Sequence, residues 1–234
     1  MKPIKILLSI AVLLVLAFAG GVGWTYYDLN IHDRPWILSN AQREALHAET
    51  LAGFDAMSAG RYEEALAIWT ARAEQNDPDA IYFIGRMHAR GQGMDRDYDK
   101  ARAYYERAAT MDQPYALNAL GFMHGSGKSV PVNPQTANEF YAKSAALGHS
   151  TAQFNLGYAY ERGIGVPIDF KKSFRLYAQA AAQNHCLGTL ALGRAYRSGR
   201  GVPEDDERAL VLYERSVELG CDFWWSRYFL KWWG

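Results

Sequence analysis

The chain has 234 residues, of which 49% are hydrophobic and 14% aromatic, too apolar for a disordered chain and enough for one or two packed domains. Its 25 Lys and Arg balance its 25 Asp and Glu, so the bulk basic footprint of a nucleic-acid binder is absent. Two cysteines exclude a disulfide-built scaffold and a four-cysteine zinc site.

Lys2 and Lys5 precede residues 6–22, a run of seventeen residues without a charge, and Trp24, Tyr26 and Tyr27 follow it. As a helix, residues 6–24 would cover roughly 28 Å, close to the ~30 Å hydrocarbon core of a bilayer. Lysines before the run and aromatics after it fit a helix whose N-terminus stays in the cytoplasm. Residues 1–24 are therefore predicted as a single-pass inner-membrane anchor. The alternative is a signal peptide cut between Ala19 and Gly20, because Ala17-Phe18-Ala19 is a small-x-small cleavage site. Both readings send the rest of the chain across the membrane, into the periplasm or outside.

Residues 25–38 show no clear period and read as a linker. Ser39 or Asn40 can cap a helix to about residue 59, and Gly60-Arg61-Tyr62 opens a second. Residues 39–77 are thus predicted as a short N-terminal capping hairpin.

The segment from residue 78 to residue 220 repeats itself. Gly85, Gly121, Gly157 and Gly193 lie 36 apart, and Gly91, Gly127, Gly163 and Gly199 hold the same spacing. So do Tyr105, Tyr141, Tyr177 and Tyr213. Self-similarity at such a period signals a stack of supersecondary units. Four units are read at 78–112, 113–148, 149–184 and 185–220. In each, a first helix carries small residues that let two backbones approach. A turn such as Gly163-Ile164-Gly165-Val166-Pro167 stops it, since Gly supplies the left-handed geometry and Pro cannot continue a helix. Asp97, Asn133, Asp169 and Asp205, again 36 apart, are acceptors placed to cap each second helix. Ala101, Tyr105 and Ala108 then form an i, i+4, i+7 stripe. Residues 221–234 hold Phe223, Trp224, Trp225, Phe229, Trp232 and Trp233 and read as an aromatic helix covering the open end, as terminal repeats must.

These residues are similar to the Sel1-like repeat family, relatives of tetratricopeptide repeats, in its bacterial envelope type. Unit three carries the pattern as Ala152, Leu156-Gly157, Tyr160, Gly163, Gly165-Val166, Asp169, Lys172, Tyr177 and Ala180-Ala181. Unit four carries it as Leu192-Gly193, Tyr196, Gly199, Gly201-Val202, Asp205, Ala209, Tyr213 and Gly220. Units one and two depart from it: His88 and His124 replace a tyrosine, Met94 a valine, and Ser129 the second glycine of the turn. The resemblance covers residues 78–220 and implies an all-α, right-handed solenoid of helical hairpins with first helices lining a concave wall. Its members serve as non-catalytic adaptors in envelope assembly, signalling and host contact.

By analogy to the tetratricopeptide wall, the residues varying around each repeated glycine are the candidate groove for a partner protein or peptide. They are Tyr82, Arg86 and Arg90 in unit one and Asn118 and Phe122 in unit two. Unit three adds Phe154, Tyr158, Glu161 and Arg162, and unit four Arg194 and Arg197. Aromatics and arginine dominate interface energies, and arginine forks engage carboxylates. Each aromatic is equally open to a place in the core between helices. Stacking rings would also suit a glycan or peptidoglycan fragment. A hydrolase would have Glu161 with His124 as its best acid–base pair, but no general acid and base are visibly poised.

No metal or cofactor is expected. His88 and His124 hold equivalent places in neighbouring units, yet no cysteine or carboxylate completes a ligand set. Cys186 and Cys221 fall near the starts of consecutive first helices. An oxidising compartment permits a bridge between them, while the ~4.4–6.8 Å between Cα atoms that it needs is shorter than usual helix packing. Both outcomes stay open on the sequence.

Overall fold

The computed structural model describes residues 48–221. Among these residues there are ten α-helices and no strand, paired in chain order into five stacked hairpins. The hairpins are α1 (Ala48–Ser58) with α2 (Tyr62–Glu74), α3 (Pro78–Arg90) with α4 (Tyr98–Ala109), α5 (Pro114–Ser126) with α6 (Pro134–Ala146), α7 (Ser150–Arg162) with α8 (Phe170–Ala182), and α9 (Cys186–Arg197) with α10 (Asp206–Glu218). This is the all-helical solenoid that the repeats predict. The anchor or signal segment 1–24, the linker 25–38, residues 39–47 of the capping hairpin and the aromatic C-terminal segment after Cys221 lie outside the described residues. No described helix is long and apolar enough to cross a membrane.

The second helices start as the sequence indicates. A side-chain oxygen of Asp97, Asn133, Asp169 and Asp205 accepts the backbone N–H three residues on, at 2.9–3.1 Å. The first helices use a column that identical residues do not reveal. Asp77, Gln113, His149 and His185, also 36 apart, cap α3, α5, α7 and α9. The four span three residue types and share only an acceptor atom in one place: Nδ1 of His149 accepts from Ala152 N at 3.2 Å, and Nδ1 of His185 from Gly188 N at 3.1 Å.

Ser129 shows that the turn geometry outlasts its glycine. Its φ of 67° matches Gly93 at 72° and Gly165 at 67°, and it is held there by its carbonyl, which accepts from Arg102 Nη1 at 2.9 Å, and its hydroxyl, which donates to Asp99.

The glycine column and the tyrosine column are two halves of one contact. A Cβ added to Gly85, Gly121, Gly157 or Gly193 would come within 2.6–2.9 Å of the ring of Tyr105, Tyr141, Tyr177 or Tyr213. Gly53 and Trp69 make the same pairing in the first hairpin, where Trp69 Nε1 donates to Thr50 O at 3.0 Å. The missing side chain lets a first helix lie flat on a large ring, and filling that space costs roughly 1–3 kcal/mol.

Cys186 and Cys221 form a disulfide, with Cα atoms 5.6 Å apart. Helix-to-helix distance is the wrong measure for this pair. Cys221 is the next member of the cap column after His185, a turn residue whose N–H bonds Ser216 O at 2.9 Å. It meets the first residue of α9, and a turn can approach a helix end more closely than two helix axes can approach each other.

Candidate partner-binding groove

First helices of neighbouring units approach one another: α7 and α9 touch directly, past the intervening α8. The candidate residues all lie on first helices.

The structure separates these residues into two kinds. Tyr82, Phe122 and Phe154 are only 8–9% exposed. Tyr82 packs on the rings of Phe83, Tyr105 and Tyr115, with centroids 5.3–5.7 Å away. Phe154 contacts Tyr177 and the cap His185 at 5.8 and 5.4 Å. Phe122 carries the Lys128 ammonium 4.9 Å above its ring. These three shape the wall from within. Tyr158 is half-buried, with the Arg162 guanidinium 5.6 Å from its ring, and Arg162 itself is exposed.

Four of the five candidate arginines surround two tyrosines of the second helices, and the fifth, Arg162, stands beside Tyr158. Arg86 and Arg90 are half-buried around Tyr105, and their charges oppose the effect of burial, which raises that phenol's pKa. Arg194 and Arg197 do the same around Tyr213, which burial also raises. Arg194 is half-buried and Arg197 exposed. The Nε of Arg194 is buried with no hydrogen-bond partner among the described residues. Candidate arginines therefore lie in units one, three and four, and Tyr158 is the half-buried aromatic of the set.

Two members of the set are engaged inside the fold. Asn118 Oδ1 accepts from Asn155 Nδ2 at 3.2 Å, a bond between α5 and α7. Glu161 accepts from the Tyr177 hydroxyl at 2.7 Å and from Arg200 Nη1 at 3.1 Å, and its side chain is only 11% exposed. Burial first, and then Glu161, raise the pKa of Tyr177. The niche beside Glu161, lined by Phe170, Ser173, Tyr177 and Arg200 among others, has room for little more than a water. His124, its partner in the hydrolase reading, instead stacks on Phe140 with centroids 5.5 Å apart. His88 stacks on Tyr104 in the same way, and its pKa is lowered, chiefly by burial. No group of three His, Cys, Asp or Glu that could hold a metal exists among the described residues.

Sequence reasoning missed Lys128 and Asn155. Lys128 sits in the long turn, outside the helical positions from which a wall is read. Asn155 lies one place beyond its wall neighbour Phe154, so a count of one residue per turn passes it over.

The Sel1 repeat model matches residues 78–113, 114–149, 150–185 and 188–221. No curated protein matches the chain. Among solved structures, a Sel1 repeat protein from Oxalobacter formigenes is 28% identical with a TM-score of 0.67, covering 77% of this chain and 74% of its own. The c5321 protein, a protective antigen present in uropathogenic Escherichia coli strains and displaying an SLR fold, is 27% identical with a TM-score of 0.68. That match covers 78% of this chain but only 40% of the antigen. A putative Sel1 repeat protein from Klebsiella pneumoniae shares the fold at 19% identity and a TM-score of 0.53, with 81% and 92% covered. Sel1 repeat proteins are generally protein-interaction scaffolds rather than catalysts. With four such repeats matched and stacked as helical hairpins, the chain belongs to the Sel1 repeat family.

Proposed function

We propose that the protein is a non-catalytic adaptor that holds a partner protein or peptide along its inner wall, on the outer side of the membrane. The observation that carries this reading is the charge layout of the first helices: Arg86 and Arg90 in unit one, Arg162 beside the half-buried Tyr158 in unit three, and Arg194 and Arg197 in unit four. Arg86, Arg90 and Arg194, already half-buried, can form charge-assisted, bidentate bonds to carboxylates of an extended segment at reduced further cost. A glycan platform needs exposed ring faces, and Tyr82, Phe122 and Phe154 offer little. The Cys186–Cys221 bridge supports an extracytoplasmic location, since such bonds persist in oxidising compartments. The uncharged run at residues 6–22 supports delivery there as an anchor or leader.

The test is affinity capture with the full chain in detergent, comparing the native sequence with the double variant Arg86→Glu, Arg194→Glu. A protein partner whose recovery falls at least about tenfold on charge reversal, as expected for lost desolvated charge pairs, supports the reading. Retention of peptidoglycan fragments with no protein captured, or turnover of envelope polymer, would overturn it.

A further inference from the structure

A carboxylate joins units three and four. Glu161, on α7, accepts from the Tyr177 hydroxyl of α8 at 2.7 Å and from Arg200, in the long turn of unit four, at 3.1 Å. The Arg200 guanidinium stands 5.4 Å from the ring centroid of Phe170. A phenol and a ring-supported cation thus meet on one acid.

Two repeats earlier, the places of Tyr177, Arg200, Phe170 and Glu161 are held by Tyr105, Lys128, Tyr98 and Ala89. Both donors keep their positions. A Cβ on Gly85 would lie 2.9 Å from Cδ1 and Cε1 of Tyr105, as one on Gly157 would from Cδ1 and Cε1 of Tyr177. The two rings, and with them their hydroxyls, therefore sit alike against their first helices. The Lys128 ammonium lies 5.3 Å from the Tyr98 ring centroid, close to the spacing of Arg200 from Phe170. Only the acid differs, because Ala89 brings no carboxylate.

The fold around unit one does not make up the difference. Tyr105 is 4% exposed, and its hydroxyl makes no hydrogen bond to another described residue. Burial raises its pKa, which keeps the phenol a donor, and the charges of Arg86 and Arg90 act on it. The acids of α3 and α4 are engaged elsewhere: Asp79 accepts from Gln113 at 2.9 Å, Asp99 accepts from Ser129, and Glu106 pairs with Arg102 at 3.6 Å. Met123, buried, takes the place of Ala195 and fills the depth of the niche. What is left is a seat at the surface, among the half-buried Ala89, Tyr98 and Lys128. Unit two has no such seat, since Gly125, Tyr141 and Ile164 hold the equivalent places and Ile164 carries no charge.

We propose that Tyr105 and Lys128, with Arg86 and Arg90 beside them, form a binding seat for a carboxylate brought from outside the repeat, in the position that Glu161 fills in unit three. The ligand is an acidic side chain on a protein segment lying along the first helices, so the proposal rests on the binding role given to that face. The segment is a partner's or the chain's own residues 25–38, which carry Asp28 and Asp33.

The first experiment needs no ligand. Ala89→Glu gives unit one the acid of unit three, and should raise the melting temperature of the full chain in detergent by at least about 2 °C. The gain should vanish when Lys128→Gln or Tyr105→Phe is added, as contacting residues require. Gly125→Glu, with no cation to meet, should give no gain. This arm uses no partner, so its failure leaves the adaptor reading standing and its success does not depend on it. The second experiment uses a dansyl-labelled peptide, amidated at its C-terminus, whose sole acid is one Glu, against a control with Gln. The Glu peptide should bind at least about tenfold tighter, less so as salt rises, and lose that advantage in Ala89→Glu and in Lys128→Gln. With Asp28→Asn and Asp33→Asn, a tenfold gain in peptide affinity would identify residues 25–38 as the native source of the carboxylate, and an unchanged affinity a partner. Should Ala89→Glu fail to fold, the peptide pair with Lys128→Gln decides. A folded Ala89→Glu chain with no gain, a gain that persists without Lys128 and Tyr105, or equal binding of the two peptides would overturn the proposal.

Discussion

From Phe54 to Met123 the stack has one continuous core, in which Trp69, Ile81, Ile84 and Met87 are fully enclosed. Beyond it the buried apolar residues fall into two small groups: Ala137, Tyr141, Ala152 and Leu156, and then Phe154, Tyr177, Ala180, Ala191 and Leu192. The backbone repeats faithfully across both regions, yet the means of holding it changes. The N-terminal half relies on apolar burial and on a charged cap, Asp77, bonded to Arg72 and Thr50. The C-terminal half has less to bury, and uses a covalent bridge and two neutral histidine caps. A repeat thus fixes geometry while leaving the source of stability free to vary along the stack.

Three measurements would break or sharpen this contrast. The largest effect is expected from Cys186→Ser with Cys221→Ser. Opening a loop of 35 residues should remove about 4 kcal/mol on the chain-entropy account. Hydrogen exchange should show protection lost in α9 and α10 while α3 and α4 keep theirs. Uniform loss across the chain would show that the two halves are one cooperative unit.

Acid comes next. Burial, with the neighbouring His185 charge adding to it, lowers the pKa of His149 to about 3, and burial lowers that of His185 to about 4. In the unfolded chain both titrate near 6.5, so below that pH the unfolded state binds more protons. The stability from these neutral caps is complete above pH 6.5 and drains away as pH falls toward 4 and then 3, by up to about 1.4 kcal/mol per pH unit for each histidine. Protonation also takes the Nδ1 lone pair that accepts the cap bond. The double variant His149→Gln, His185→Gln should flatten stability between pH 6.5 and 5, because Gln113 already performs this role in unit two. An unchanged acid slope would assign it to other groups.

The smallest effect is expected from Tyr177→Phe. Losing a hydrogen bond to a mostly buried carboxylate should cost about 1–2 kcal/mol in a denaturant titration. A null result would mean that Arg200 alone satisfies Glu161.

The sequence made the fold legible wherever one residue type is the only good answer. The Gly85 and Tyr105 columns are such places, because only a missing side chain admits the ring. It was silent where several types serve equally. Asp, Gln and His all offer an acceptor at the first-helix cap. Asn76, Asp112, Gly148, Asn184 and Gly220 all adopt the left-handed turn after a second helix, and no single letter marks all five. Among the candidate residues, Arg86 and Arg194 follow directly on a repeated glycine and are half-buried. The burial of Tyr82, Phe122 and Phe154 was not legible, because inner wall and core differ by a small rotation of the helix that periodicity does not resolve. The bridge escaped a distance argument because it joins a turn to a helix end.

Between units two and three the side chains Ala137, Tyr141, Ala152 and Leu156 form a small apolar group, and Asn155 reaches across to Asn118. That bond ties the first helix of unit two directly to the first helix of unit three, so sliding one hairpin past the other must break a side-chain amide pair as well as an apolar contact.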